Sequence, residues 1–198
     1  MTAERKTRGP YRKGVERRAQ ILQTALEVFA EHGERGSSLK EIAERLGMSQ
    51  AGLLHYFGSR EELFVAVLAE RDAQDTGATR DSVATAGEAV ARTAEHNTKT
   101  PGLVELFVTL SAAAIDPEHP AHAYFTERYA DLEDAVTEGL RQGQEQGEVR
   151  TDADARQLAR LLLAVADGLQ VRWLLNREVD MTAAIEVFNQ LCAPPGRE

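Results

Sequence analysis

The chain is poor in several things that would narrow its function. It has one cysteine, Cys192, among 198 residues. A lone cysteine closes no intrachain disulfide and builds no thiolate zinc site; Cys192 reads as a small hydrophobe near the chain end. Aromatic residues are 6% of the total, with a single tryptophan. No apolar run approaches the ~18 residues that cross a bilayer, and the basic N-terminus has no apolar stretch behind it of the signal-peptide kind. The expectation is a cytoplasmic protein with no membrane partner. No nucleophile–base set, phosphate-binding glycine loop or metal-ligand spacing stands out, so neither an enzyme nor a metal protein is expected, and no catalytic residue or cofactor is assigned. Asp116, Glu118, His119 and His122 lie close together, but around two prolines, as in a solvated turn.

Strand-like alternation is also missing. Ala, Leu, Glu, Arg and Gln dominate, with hydrophobic residues at 42% and charged residues at 28%, so the chain is expected to be all-α, with about nine helices. The net charge of −9 argues against a polyanionic partner until its distribution is seen. Residues 1–60 carry 11 Lys and Arg against 7 Asp and Glu, whereas residues 61–198 carry 12 against 25. A basic head on an acidic body suits a nucleic-acid reader whose body is turned away from phosphate.

The head reads as a flexible basic arm (residues 1–13), then a helix-turn-helix unit (14–59), followed by an effector and dimerisation region (60–198). A first helix is expected from about Val15 to His32, ended by Gly33. Ser38 and Glu41 fit a capping box, and Leu39, Ile42, Ala43 and Leu46 make one apolar face. Gly47 occupies a left-handed cap position. Ser49 then caps a short helix reaching Tyr56, and Ser59 with Glu62 opens a long helix to about Ala78. A small residue at Ala43, the glycine four positions on and the apolar anchor Leu53 ten positions on let two helices cross steeply, so that the second projects into a major groove.

The polar positions agree. Ser49, Gln50, Ala51 and Gly52 lie where base edges are met, and Gln50 can pair bidentately with adenine. Arg12, Lys13, Arg17 and Arg18 would supply backbone charge or a minor-groove arm. The run from Ser37 to Leu63, with Ala43, Gly47, Ser49, Leu53, Phe57, Ser59 and Leu63, resembles the DNA-binding signature of the TetR family of bacterial regulators. The resemblance implies DNA contact at Ser38, Gln50, Gly52, His55, Tyr56 and Arg60. Many relatives have Thr or Ser where Gly52 stands and Tyr at Leu54; here Leu54 would pack on a thymine methyl.

Farther along, helices are expected over about Ser82–His96, from Pro101 with Thr100 as cap, Ala121–Gln146, from a Thr151–Asp154 capping box to Leu175, and Met181–Cys192 after Asp180. Two apolar stripes, Leu158, Leu161, Leu162, Val165 and Leu169 with Gly168 between, and Met181, Ala184, Ile185, Phe188 and Leu191, would pair with their symmetry mates. The resemblance likewise implies a homodimer through the last two helices. His96, Leu103, Phe107, Tyr124, Phe125, Arg128 and Trp173 are the candidates for a small-molecule effector pocket. Arg128 would either hold an anionic effector or pair with an acidic neighbour. The functional expectation is a ligand-responsive repressor that binds a palindromic operator as a dimer, the helix from Arg60 serving as lever. An activator, a ligand-independent regulator, or a helical interaction module without DNA binding are the alternatives.

Overall fold

The computed structural model describes residues 9–36, 39–79 and 86–194, and side chains within residues 12–31, 39–74 and 86–194. Among the described residues there are nine helices and no strand: α1 (Gly9–Gly36), α2 (Leu39–Arg45), α3 (Gln50–Leu54), α4 (Arg60–Thr79), α5 (Ala86–Thr98), α6 (Pro101–Ala113), α7 (Ala121–Glu145), α8 (Ala155–Leu175) and α9 (Met181–Leu191).

Helix α1 is longer than expected at both ends. It starts at Gly9, so residues 9–13 of the stretch 1–13 assigned to a flexible arm are helical, and residues 1–8 lie outside the described residues. Pro10 is the second helical residue, where its fixed φ suits the first turn and its missing N–H costs nothing. Arg12 and Glu16 then pair one turn apart at 2.8 Å. Gly33 does not stop the helix; its φ is not positive, and the last turn reaches Gly36. The expected cap Ser38 lies outside the described residues.

The turn after α2 follows the sequence closely. Gly47 has φ +62°. Its N–H donates to the Glu44 carbonyl at 3.1 Å and the Met48 N–H to the Ala43 carbonyl at 2.9 Å, the paired bonds of a Schellman ending. Ser49 accepts the Gly52 N–H at 3.0 Å and so caps α3. Gly58, at φ +85°, makes the next reversal, and Ser59 accepts the Glu62 N–H at 3.0 Å. The geometry of α2 and α3 is therefore held by short-range bonds that the residue types dictate.

One apolar core runs from this head into the body. Ile21, Leu22, Ala25, Val28 and Phe29 of α1 bury against Ile42, Leu53, Leu63, Phe64 and Val67, and the same cluster continues into Leu103, Leu106, Phe107 and Leu110 of α6. Phe29 and Phe64 meet edge to face, with centroids 4.9 Å apart. A second core joins α5, α6, α7, α8 and α9 through Ala94, Val104, Leu140, Leu158, Leu162, Trp173, Met181 and Ile185.

Two caps differ from expectation. Thr100 precedes α6 but makes no side-chain capping bond, and its hydroxyl is buried without a hydrogen-bond partner. In α8 the capping residue is Asp154, which accepts the Gln157 N–H at 3.0 Å. Thr151 lies three residues upstream, outside the helix, and is not the cap. Asp180 caps α9 as expected, accepting the Ala183 N–H at 2.9 Å.

The largest revision concerns the two apolar stripes. Leu158, Leu162, Met181 and Ile185 are buried inside their own chain and have no surface to offer a partner, so they are not interface residues. Two members of the same stripes, Leu161 and Leu191, are instead exposed, together with Leu175 and Val187 of the same helices. Leu161 is 56% exposed, Leu175 84%, Val187 53% and Leu191 68%. Val165, Leu169 and Phe188 are half-buried and Gly168 is exposed.

Candidate nucleic-acid interface and effector cavity

Helix α3 presents Gln50, Ala51 and His55 to solvent, while Leu53 is fully buried beneath them. Gly52 is half-buried: a Cβ there would sit 3.2 Å from the Ser49 hydroxyl. Leu54 and Tyr56 are half-buried and pack on the head core, so each has a structural task as well as an outward edge. The sequence-predicted contacts that the fold brings together on one outer surface are thus Ser49, Gln50, Ala51, Gly52 and His55, flanked by Leu54, Tyr56 and Arg60.

The head's cations divide by their engagements. Arg17 donates to the Leu46 carbonyl at 2.9 Å and to Gln20 Oε1 at 2.6 Å. Its guanidinium ties α1 to the turn before α3, and phosphate contact would compete with those bonds. Arg60 lies over the Phe64 ring at 4.5 Å and Arg18 over Phe57 at 4.8 Å, so both are held by the aromatic core beneath them. Arg12 and Lys13 are exposed on the N-terminal part of α1. The sequence reasoning missed Arg45, which bonds Glu31 and Glu41 and pins α2 against α1. Hydrogen bonding to Glu31 outweighs partial desolvation and raises its pKa. The Glu41 bond has an i,i+4 signal in the sequence, but the Glu31 bond does not.

In the body a cavity of about 610 Å³ lies between α4, α5 and α7. A smaller one of about 110 Å³ adjoins it toward α8 and α9. Asp72, Val90, Thr93, Arg128 and Leu132 line both. Arg128 donates to Asp72 through Nε at 2.6 Å and Nη2 at 3.3 Å, and the Tyr124 hydroxyl donates to the same carboxylate at 2.6 Å. Of the two sequence-based roles for Arg128, the acidic partner is the one present. The guanidinium also lies 4.9 Å from the Phe107 ring centroid. Burial works against its charge, but the hydrogen bond and charge of Asp72 prevail and its pKa is raised. The Tyr124 phenol is pushed above its ordinary range by burial and then by Asp72. Behind this pair, Tyr129 donates to Asp167 of α8 at 2.6 Å. Burial raises the Asp167 pKa despite that bond and the charge of Arg128.

Tyr124 and Arg128 line the larger cavity, and Phe107 and Arg128 the smaller. His96, Leu103, Phe125 and Trp173 line neither. His96 faces solvent on α5. Leu103 and Phe125 belong to the first core, and Trp173 fills the second with Arg177 stacked over it at 3.8 Å. Asp72, the central carboxylate, was missed because its partners are more than fifty residues away. The Asp116–His122 segment is a hydrogen-bonded turn. Asp116 accepts the Glu118 N–H at 3.0 Å, His119 accepts the Ala121 N–H at 3.1 Å, and His122 Nδ1 lies 2.8 Å from the Ala114 carbonyl.

Known proteins agree with this arrangement. Residues 21–67 match the family described as bacterial regulatory proteins, tetR family, and residues 97–193 match the C-terminal region of BetI-type transcriptional repressors. The HTH-type transcriptional repressor AcnR of Corynebacterium efficiens is 30% identical over 158 residues, 79% of this chain and 81% of that protein. The HTH-type transcriptional regulator RutR of Escherichia coli is 48% identical over 48 residues, 24% of this chain and 23% of its own. Among solved structures, a transcriptional regulator from Saccharomonospora viridis in complex with choline superposes with a TM-score of 0.70 at 25% identity, covering 89% of this chain and 95% of that one. A TetR-family regulator from Rhodococcus sp. shares the fold with a TM-score of 0.69 at 22% identity, covering 89% and 98%. A solvent-facing α3 on a capped helix-turn-helix, carried by a helical body that matches these proteins along most of its length, makes this chain a member of the TetR family and a DNA-binding transcriptional regulator.

Proposed function

We propose that the protein is a ligand-responsive repressor that binds a palindromic operator as a homodimer in the bacterial cytoplasm. The observation that carries this reading is the path of α4. The helix starts at the Ser59 cap, directly after the helix-turn-helix, and reaches the cavity wall at Ala69 and Asp72. A ligand in the cavity would press on the same rigid element that sets the angle of α3. The choline held by the S. viridis neighbour is a precedent for a small organic ligand in this fold.

The exposed apolar side chains Leu161, Leu175, Val187 and Leu191, with Val165, Gly168, Leu169 and Phe188 around them, supply the surface for a second copy. The symmetric pair would place two copies of α3 about one DNA turn, ~34 Å, apart. Gln50 carries direct base readout, while His55, Tyr56, Arg60 and the N-terminal cations Arg12 and Lys13 contact phosphate and set the register. Ligand binding shifts the dimer toward a geometry that no longer fits successive grooves.

Selection of bound fragments from genomic DNA tests the reading. The expected result is a palindromic motif, with log affinity falling linearly against log salt and repression of a reporter placed behind the motif. A motif without two-fold symmetry would overturn the dimeric reader, and reporter activation would overturn the repressor.

A further inference from the structure

Among the described residues Arg128 is the only cation on the larger cavity's wall, and the obvious ligand for it is an anion. The geometry points elsewhere. Its guanidinium is already engaged by Asp72 through two bonds. An incoming carboxylate would have to displace Asp72 and leave that group's charge at the cavity wall. The cavity also carries Glu127 and Asp131, one turn apart on α7. Both are exposed, which places them at the rim, and neither has an ion-pair partner among the described residues. Among the described residues the lining thus holds three carboxylates against one guanidinium. Its remaining wall is mostly small and apolar, with Ala69, Ala89, Val90, Leu132, Ala135 and Val136. Entry past two rim carboxylates favours a positive group and opposes a negative one.

We propose that this cavity takes an amphipathic organic ammonium ion, and that the ammonium group draws Asp72 away from Arg128. The apolar body lies along α5 and α7, and the charged end sits among Asp72, Glu127 and Asp131. Asp72 belongs to α4, whereas Arg128 and Tyr124 belong to α7. Sharing Asp72 with a ligand therefore weakens the bonds that hold α4 to the body at that point. The proposal rests on the ligand-responsive reading given above and names both the class of ligand and the bond it acts on. A protonated amine suits the role because its N–H groups can replace the two donated by Arg128.

Calorimetry on the full-length protein with octylammonium, octan-1-ol and octanoate separates charge from apolar fit. Octylammonium is expected to bind about tenfold tighter than octanoate, and the preference is expected to shrink as salt is raised. The rim variant Glu127→Gln with Asp131→Asn replaces exposed groups, so it is expected to stay folded. It should bind octylammonium about tenfold more weakly with octan-1-ol unchanged. Tyr124→Phe loosens Asp72 without removing its charge and is expected to tighten octylammonium about threefold. Tighter binding of octanoate, no binding of any of the three probes, or unchanged octylammonium affinity in the rim variant would overturn the ligand class. Weaker octylammonium binding in Tyr124→Phe would overturn the release of Asp72. Operator affinity measured alongside keeps the two readings apart. Octylammonium binding with these preferences but no change in operator affinity supports the ligand class and removes the ligand-responsive reading. Loss of operator affinity with octanoate alone does the reverse.

Discussion

The head and the body of this regulator use their apolar residues differently. In the head the large side chains of the core have one task. Ile42, Leu53, Leu63 and Phe29 are almost wholly buried and serve a single core. In the body, α8 and α9 are apolar on two faces. Leu158, Leu162, Met181 and Ile185 fill the chain's own core, while Leu161, Leu175, Val187 and Leu191 stand in solvent. A helix that needs only one apolar face but carries two is built to be covered from both sides. The head buries its apolar residues within one chain, whereas the last two helices leave exposed the apolar side chains that the proposed second copy would cover.

Neighbouring residues on α8 test that difference most sharply. Leu162→Glu puts a carboxylate into a fully buried position with no partner and is expected to cost roughly 3–5 kcal/mol, enough to unfold a marginal domain. Leu161→Glu, one residue earlier, changes a half-exposed position. The monomer's stability should move by no more than about 0.5 kcal/mol, while light scattering should report loss of the dimer and operator affinity should fall with it. Equal destabilisation by the two substitutions would abolish the distinction between the faces.

The same contrast explains what was legible in the sequence. The turn chemistry of the head needs only local rules. Gly47 in the left-handed region, Ser49 on the Gly52 N–H and Ser59 on the Glu62 N–H all act within three or four residues, so their residue types announce them. The two stripes on α8 and α9 were visible as periodic patterns, but periodicity does not say which of two apolar faces meets the chain's own core. The Asp72–Arg128–Tyr124 cluster was less legible still. Its residues are joined only by the crossing of α4 and α7, and no spacing rule connects positions more than fifty residues apart. Helix ends failed for a different reason. Gly9, Pro10 and Gly33 carry signals of breaking, and all three are accommodated in α1 because helix termini tolerate Pro and a long packed helix absorbs the roughly 1 kcal/mol cost of one internal glycine.

A second test asks whether head and body can be separated at all. The first core runs from α1 through α4 into α6, so Phe29→Ala should cost about 3–5 kcal/mol. The loss should appear in one cooperative transition that includes the body. Denaturant unfolding followed by Trp173 fluorescence, which reports the second core, and by helical circular dichroism is expected to give coincident curves with a lowered midpoint. A Trp173 transition left in place while the circular dichroism curve shifts would mean that the head unfolds alone and that α6 belongs energetically to the body.

The head's outward face should respond in DNA binding and not in stability. Gln50→Ala removes the group best placed for bidentate pairing with adenine. It is expected to cost about 1–3 kcal/mol in discrimination at one base pair of each half-site, with the melting temperature unchanged. Replacement of Lys13 should instead weaken binding to all sequences alike and lower the salt slope by about one per protomer, about two for the dimer. A uniform loss from Gln50→Ala would move base readout to another residue of α3.

The smallest expected effect lies in the body, at Asp167. This carboxyl is held above its ordinary value of 3.8, chiefly by burial. A raised folded-state value means that the native protein binds the proton more tightly than the unfolded chain does. The native state is favoured while the group is protonated, and that advantage is lost as pH rises from about the unfolded value through the folded one. Asp167→Asn keeps an oxygen to accept the Tyr129 hydroxyl but has no charge to desolvate. The stability of the variant relative to the natural protein should therefore increase with pH above 3.8 and level off once Asp167 is ionised. A difference that fell with rising pH would mean that Tyr129 and Arg128 stabilise the ionised carboxylate by more than burial penalises it, and that Asp167 acts as a fixed charge behind Arg128 throughout the neutral range.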